Sequence, residues 1–366
     1  MTSLSSLPGV LGRTTLLTGT VALVATIAAF AFELAGAPSP VVFGVSAAAL
    51  AALAVLIGQG TDQLGHRFGP GATGVLQSAL GNLPELFISI FALRAGLVVV
   101  VQTALIGSIL ANSLLVLGLA FLVGGLRHGT QRFHAPAVRS MAILLVLAVA
   151  ALAIPTLATA PGAPDAGHEA DLSVIVSIVL LVVFVASIPF SIRGGPGASA
   201  EVEEGAGPGW PLPLAIGVLI AGAVGAALTS DLFVEALKPT MASLGLSEAF
   251  VGLVIVAIAG NAVENLVGIK AAAANKTDLA TSLILNSSLQ VAIALTPALV
   301  LISMVIGGSA LTLVLSPLLL GAVILAALLA ALIVFDGEST WLEGLALLGL
   351  YVIIAASVWY GPAIRL

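Results

Sequence analysis

Glu85 and Glu264 are carboxylic acids set inside apolar stretches, GNLPELFISI at 81–90 and GNAVENLVGI at 260–269. An ionised carboxylate alone in hydrocarbon costs about 3 kcal/mol even on the mildest insertion scale. It needs a proton, a cation or an opposite charge. No Lys, Arg or His inside the apolar spans can balance both acids, and Lys270 lies near a helix end, where it snorkels to water. Two carboxylates helped by carbonyl and amide oxygens suit a hard divalent ion, and Ca²⁺ takes about 6–8 oxygens in flexible geometry. Mg²⁺ fits less well because it sheds water reluctantly. With the ion gone, desolvation and mutual repulsion favour the protonated acids. Ca²⁺ and H⁺ then compete for the same charge, which is the chemistry of an exchange site.

The elements that must hold these acids are membrane helices. The chain has 366 residues, of which 60% are hydrophobic and 8% charged, against roughly 25% charged in soluble domains. Its mean hydropathy is +1.23. A helix needs about 20 apolar residues to cross a bilayer, and that length predicts eleven spans, near 16–36, 39–60, 72–94, 97–124, 136–160, 172–193, 210–236, 246–272, 277–305, 309–335 and 340–362. The fold class expected is an all-α integral membrane protein, since helices satisfy their own backbone in lipid. Low aromatic content and the absence of strand alternation argue against a barrel. There is no Cys, so no thiolate metal site or disulfide is expected, and His66, His128, His134 and His168 fall in connecting segments. Apart from the two glutamates, the few charges lie in loops and offer no basic surface for nucleic acid; the surroundings expected are the lipid bilayer. No resident cofactor is called for.

The two odd stretches align without gaps at an offset of 179 (264 − 85). The offset pairs Gly81 with Gly260, Asn82 with Asn261, Ile90 with Ile269 and Ser108 with Ser287. Each half then holds five spans, 39–193 and 210–366, with one extra helix at 1–38 and a linker at 194–209. An odd number of spans per half makes the second half enter the membrane upside down, the inverted repeat of many secondary transporters, whose sites lie near the midplane. Both glutamates are then expected at similar depth. Gly81 and Pro84 disfavour straight helix, so unwound carbonyls become available to a cation there. Asn82 and Asn261 stand three residues before each acid, on the same face, as ligands or as helix-joining amides.

GNLPELFISIFALRAG followed by LIGSILANSLLVLG, and GNAVEN followed by NKTDLA and NSSLQVAIAL, resemble the two repeat motifs of the Ca²⁺/H⁺ exchanger branch (CAX) of the calcium/cation antiporter superfamily. The resemblance covers nearly the whole chain. It implies that Glu85 and Glu264 bind the transported ion with Asn82 and Asn261, and that Gly81, Pro84, Gly260, Ser108, Asn112, Ser287 and Gln290 line the pathway. It further implies alternating access, with protons entering and Ca²⁺ leaving the cytoplasm. Asn265 stands where the family often has His, and Asn286 where it often has Gly. The related sodium/calcium exchangers more often carry Gly–Thr–Ser before Pro–Glu, so Asn82 favours the proton-coupled branch. Na⁺ is the alternative coupling ion.

Asp62 in QGTDQL and Glu235 in DLFVEAL are expected to end the second and seventh spans at opposite mouths, as cation collectors or ordinary helix-end acids. Glu201, Glu203 and Glu204 lie in the linker, most simply as solvated residues. With the N-terminus inside, eight Lys and Arg (Arg13, Arg67, Arg127, Arg132, Arg139, Arg193, Lys270, Lys276) are cytoplasmic and three (Arg94, Lys238, Arg365) are outside, the expected bias. The C-terminus is then outside, and a prokaryotic plasma membrane is expected. Two other classes remain open from the residues. An intramembrane hydrolase would use the two acids as an acid/base pair, but no nucleophile or metalloprotease signature accompanies them. A passive channel would show flux without coupling.

Overall fold

The computed structural model describes residues 7–68, 80–163, 165–192, 210–306 and 310–360. It is helical almost throughout, and it divides into two compact units, Met1–Phe91 with Ala198–Gly245, and Ala92–Gly197 with Leu246–Leu366.

In the first unit lie α1 (Leu7–Leu34) and α2 (Ser39–Phe68), with α8 (Leu212–Leu244) from the second half of the sequence. α2 and α8 run antiparallel: Phe43 stacks on Phe233 with ring centroids 4.6 Å apart, Leu53 meets Gly225 and Ile57 meets Gly222. A Cβ on Gly222 would stand 2.8 Å from Ile57 Cγ1, so small residues permit the close approach. α1 packs on α2 and leaves Leu17, Val21, Val24 and Leu34 exposed, a surface suited to acyl chains rather than water.

α3 (Leu83–Arg94) begins at the first glutamate motif. The second unit then contains α4 (Val98–Leu110), a π turn (Ala111–Val116), α5 (Leu117–His128), α6 (Ala135–Ala158) and α7 (Glu169–Ile192). It continues with α9 (Glu248–Phe250), a π turn (Val251–Val256), α10 (Ala257–Gly260) and α11 (Ala262–Ala273). It ends with α12 (Thr277–Gln290), a π turn (Val291–Leu295), α13 (Thr296–Ile306), α14 (Pro317–Ile333) and α15 (Trp341–Tyr360). Two short strands, Gln131–Arg132 and Glu338–Ser339, pair antiparallel, and Arg132 Nε lies 3.0 Å from Glu338 Oε1.

Among the described residues eight helices are long and apolar enough to cross a membrane, nine if the bent pair Glu248–Gly260 and Asn265–Ala273 forms one span. The eleven expected spans are therefore not all met. For the third, residues 69–79 lie outside the described residues. The tenth departs for a physical reason: 310–316 is non-helical with a bend at Leu313, Ser316 is extended, and only Pro317–Ile333 is helical. Ser316 precedes a proline, which disfavours helical backbone at that residue, and its hydroxyl accepts from Leu319 N as the N-cap.

The extended strap is viable because side chains replace a partner strand. Leu311, Leu313 and Leu315 are buried in alternation. Their N–H groups donate to Ser303 Oγ, Ser173 Oγ and Thr156 Oγ1, each at 2.9 Å. Gln102 Nε2 donates to Thr312 O at 2.8 Å, and Thr156 Oγ1 to Leu313 O at 3.1 Å. Non-helical backbone at membrane depth is tolerated where it is satisfied in this way.

Candidate cation-binding site

Both glutamate motifs fall on helix breaks. In the first, Gly81 and Asn82 form a turn, and α3 starts at Leu83 with Pro84 and Glu85 in its first turn. Asn82 O accepts from Leu86 N at 2.9 Å. Glu85 is 1% exposed. The positive end of the α3 dipole lies beside its carboxylate and favours negative charge there.

In the second, α10 ends at Gly260, Asn261 adopts φ −105° and ψ 19°, and α11 resumes at Ala262. The helical stretch Glu248–Gly260 and the stretch Asn265–Ala273 are bent by 63°. Glu264 is the third residue of α11; its side chain lies outside the described residues.

Asn261 stands where a helix N-cap would, yet its side chain makes no cap bond. Its Nδ2 donates to Ser108 Oγ and to Ala257 O, both at 2.9 Å. Both amide hydrogens are then engaged, which fixes the orientation of the group. Its Oδ1 is buried with no hydrogen bond. Asn112 repeats the arrangement: Nδ2 donates to Ser287 Oγ at 3.0 Å, and Oδ1 is buried with no hydrogen bond. Asn265 Oδ1 is a third such oxygen. Neutral carboxamide oxygens turned away from donors are the hard ligands that Ca²⁺ takes.

The repeat pairs Ser108 with Ser287, and each accepts from an asparagine. Asn261, Ser108, Asn112, Ser287, Gly260 and Gln290 all belong to the second unit and are buried. Gly81, Asn82, Pro84 and Glu85 belong to the first.

Some contributors were not legible in the sequence. Ser113 and Ser288 hydroxyls lie 3.1 Å apart, one residue on from Asn112 and Ser287. Gly107 and Gly252 let α4 and the π turn Val251–Val256 touch backbone to backbone: a Cβ on Gly107 would stand 2.3 Å from Leu253 O, and one on Gly252 2.4 Å from Val100 O. That contact brings the end of α10, and with it Asn261, against Ser108. A glycine in each apolar run was the available signal. π turns begin at Ala111 and Val291, within one residue of the repeat offset, and such turns recur at functional sites.

Asp62 and Glu235 do not end their helices. α2 continues to Phe68 and α8 to Leu244. His66 accordingly falls within α2, not in a connection. Both acids are exposed. Gly60 meets Leu219, so Asp62 and Glu235 lie toward opposite ends of the α2–α8 pair, about 27 Å apart along the axis at 1.5 Å per residue. Glu201, Glu203 and Glu204 lie outside the described residues. Among the described residues no three His, Cys, Asp or Glu side chains converge on a point.

Sodium/calcium exchanger proteins match residues 38–193 and 214–360, nearly the whole chain. The chain belongs to this exchanger family. Similar relatives include the Ca²⁺/H⁺ antiporter ChaA of Bacillus subtilis, 38% identical over 323 residues, covering 87% of this chain and 92% of that one. The Ca²⁺/H⁺ antiporter of Synechocystis is 35% identical over 355 residues, covering 92% and 95%. The solved structure of native YfkE superposes with a TM-score of 0.80 at 34% identity, covering 93% of this chain and 99% of that one. These exchanger likenesses place the chain among secondary transporters and not among hydrolases.

Proposed function

We propose that the chain is a secondary antiporter that exchanges Ca²⁺ for H⁺ by alternating access. The observation that carries this reading is Glu85: a carboxylate 1% exposed, in the first turn of a helix that begins at a Gly–Asn break, in a motif repeated at Glu264. A site built on a buried acid of this kind switches access only when the acid is protonated or ion-bound, because a bare buried charge is too costly. Glu85 and Glu264 take Ca²⁺ or protons in competition, and Asn82 and Asn261 contribute oxygen. Ser108 and Ser287 hold the Asn261 and Asn112 amides so that the carboxamide oxygens are free for the ion. Gly81 and Gly260 keep the helices open there, Pro84 and Gln290 line the pathway, and Asp62 and Glu235 gather cations at the two ends. The names of the similar relatives support the proton as the coupling ion, and bacterial relatives support a plasma membrane. The arginine and lysine bias supports a cytoplasmic N-terminus, so Ca²⁺ leaves the cell as protons enter.

The test is Ca²⁺ movement in sealed liposomes under an imposed H⁺ gradient and, separately, an imposed Na⁺ gradient. Flux is expected with the H⁺ gradient alone. Flux with Na⁺ only would move the chain to the sodium-coupled branch, and uncoupled flux would make it a channel.

A further inference from the structure

Buried threonines in these helices commonly bond back to the carbonyl four residues earlier: Thr61 to Ile57, Thr103 to Val99, Thr240 to Ala236 and Thr281 to Thr277. Thr296 does not. It is 3% exposed, and its Oγ1 is buried without a hydrogen-bond partner. It follows directly on the π turn Val291–Leu295, where the carbonyl ladder is shifted by one residue.

A second orphan faces the same space. Gln102 donates through Nε2 to Thr312 O and Val314 O of the strap. Carbonyls only accept, so the amide cannot be turned over. Its Oε1 is therefore directed away from the strap, and it too is buried without a partner. Gln102 and Thr296 line one small cavity with Leu105, Leu152, Leu311 and Thr312. Its free volume is ≈ 10 Å³, about that of one water-sized sphere. A purely apolar void of that size stays dry, but one with two or more polar atoms lacking partners does not.

We propose that this cavity binds a single water molecule, which donates to Gln102 Oε1 and bonds to Thr296 Oγ1. The water joins the first residue of α13 to Gln102, which in turn holds the strap. It completes a set in which the strap's inward polar groups are met by Gln102, Thr156, Ser173 and Ser303. The ligand class is a solvent molecule and not an ion: among the described residues the lining is apolar apart from neutral amide and hydroxyl groups, with no charged side chain.

A structure of the full chain in lipid, at a resolution that shows ordered solvent, is the test. One density peak is expected within hydrogen-bond reach of both oxygens, and it should vanish in Thr296→Val, which keeps the shape and removes the hydroxyl. An empty cavity in the wild type, or a Thr296 hydroxyl turned onto Ala292 O, would overturn the proposal. A double-mutant cycle of Gln102→Met and Thr296→Val, read as thermal midpoint, gives a second readout. Shifts that fall short of additive are expected because both residues share one water; additive shifts would count against it.

Discussion

The two glutamate motifs reach the same helix break by different local means. At the first, a Gly81–Asn82 turn leads into a helix with Pro84 in its first turn. At the second, α10 stops at Gly260 and α11 restarts at Ala262 with no proline nearby. Proline is therefore not what breaks the helix. The shared elements are the Gly–Asn pair at the break and the glutamate in the first turn that follows. The second motif also shows why the asparagine matters: its amide is spent on Ser108 and Ala257, across the break, rather than on capping α11. A Gly–Asn break braced from a neighbouring helix needs no proline to persist.

The largest expected effect tests whether the two acids are equivalent. Glu85→Gln and Glu264→Gln should each abolish coupled Ca²⁺ flux in liposomes while leaving the protein folded and inserted. Glutamine keeps the shape and an oxygen but cannot balance a cation or exchange a proton. Full activity in either variant would break the equivalence and remove that acid from the site.

Next in size is the brace itself. Gly252→Ala drives a methyl into Val100 O and Thr103 Oγ1, and backbone cannot yield as a flexible side chain can. Overpacking of this kind costs roughly 1–3 kcal/mol. The thermal midpoint of the purified protein should fall, with exchange reduced in the fraction that remains folded. Gly217→Ala, where a Cβ would meet nothing within 4 Å, should leave both unchanged.

A smaller effect tests the Ser108–Asn261 bond. Ser108→Ala removes the acceptor for Asn261 Nδ2 but leaves its bond to Ala257 O. One hydrogen bond of about 1 kcal/mol corresponds to roughly fivefold, expected as a rise in the Ca²⁺ concentration needed for half-maximal flux. An unchanged concentration dependence would mean that Asn261 is positioned by the helix break alone.

The repeat was legible in the sequence because identical residues recur at a fixed offset. The buried acid Glu85 was legible because a carboxylate in an apolar run is too costly to keep unless it binds something. What escaped was set by neighbours. The strap at 310–316 reads as membrane helix because Ala310, Leu311, Leu313, Val314 and Leu315 continue into the apolar run after Pro317. Its extended form depends on Ser173, Thr156, Ser303 and Gln102, which come from four other helices. The π turns carry no composition of their own.

The smallest effect is the sharpest test of the comparison. Pro84 is the second residue of α3, where backbone N–H groups have no intrahelical acceptor, so its missing donor costs nothing. Its contribution is to stiffen the unfolded chain, about 0.4–1 kcal/mol. Pro84→Ala should therefore lower the thermal midpoint slightly and leave the exchange rate and its pH dependence close to wild type, as the second motif manages with Ala262 and Val263 in the corresponding stretch. If Pro84→Ala instead abolished exchange with folding intact, the first break would depend on its proline after all. The two motifs would then be alike in sequence but not in mechanism.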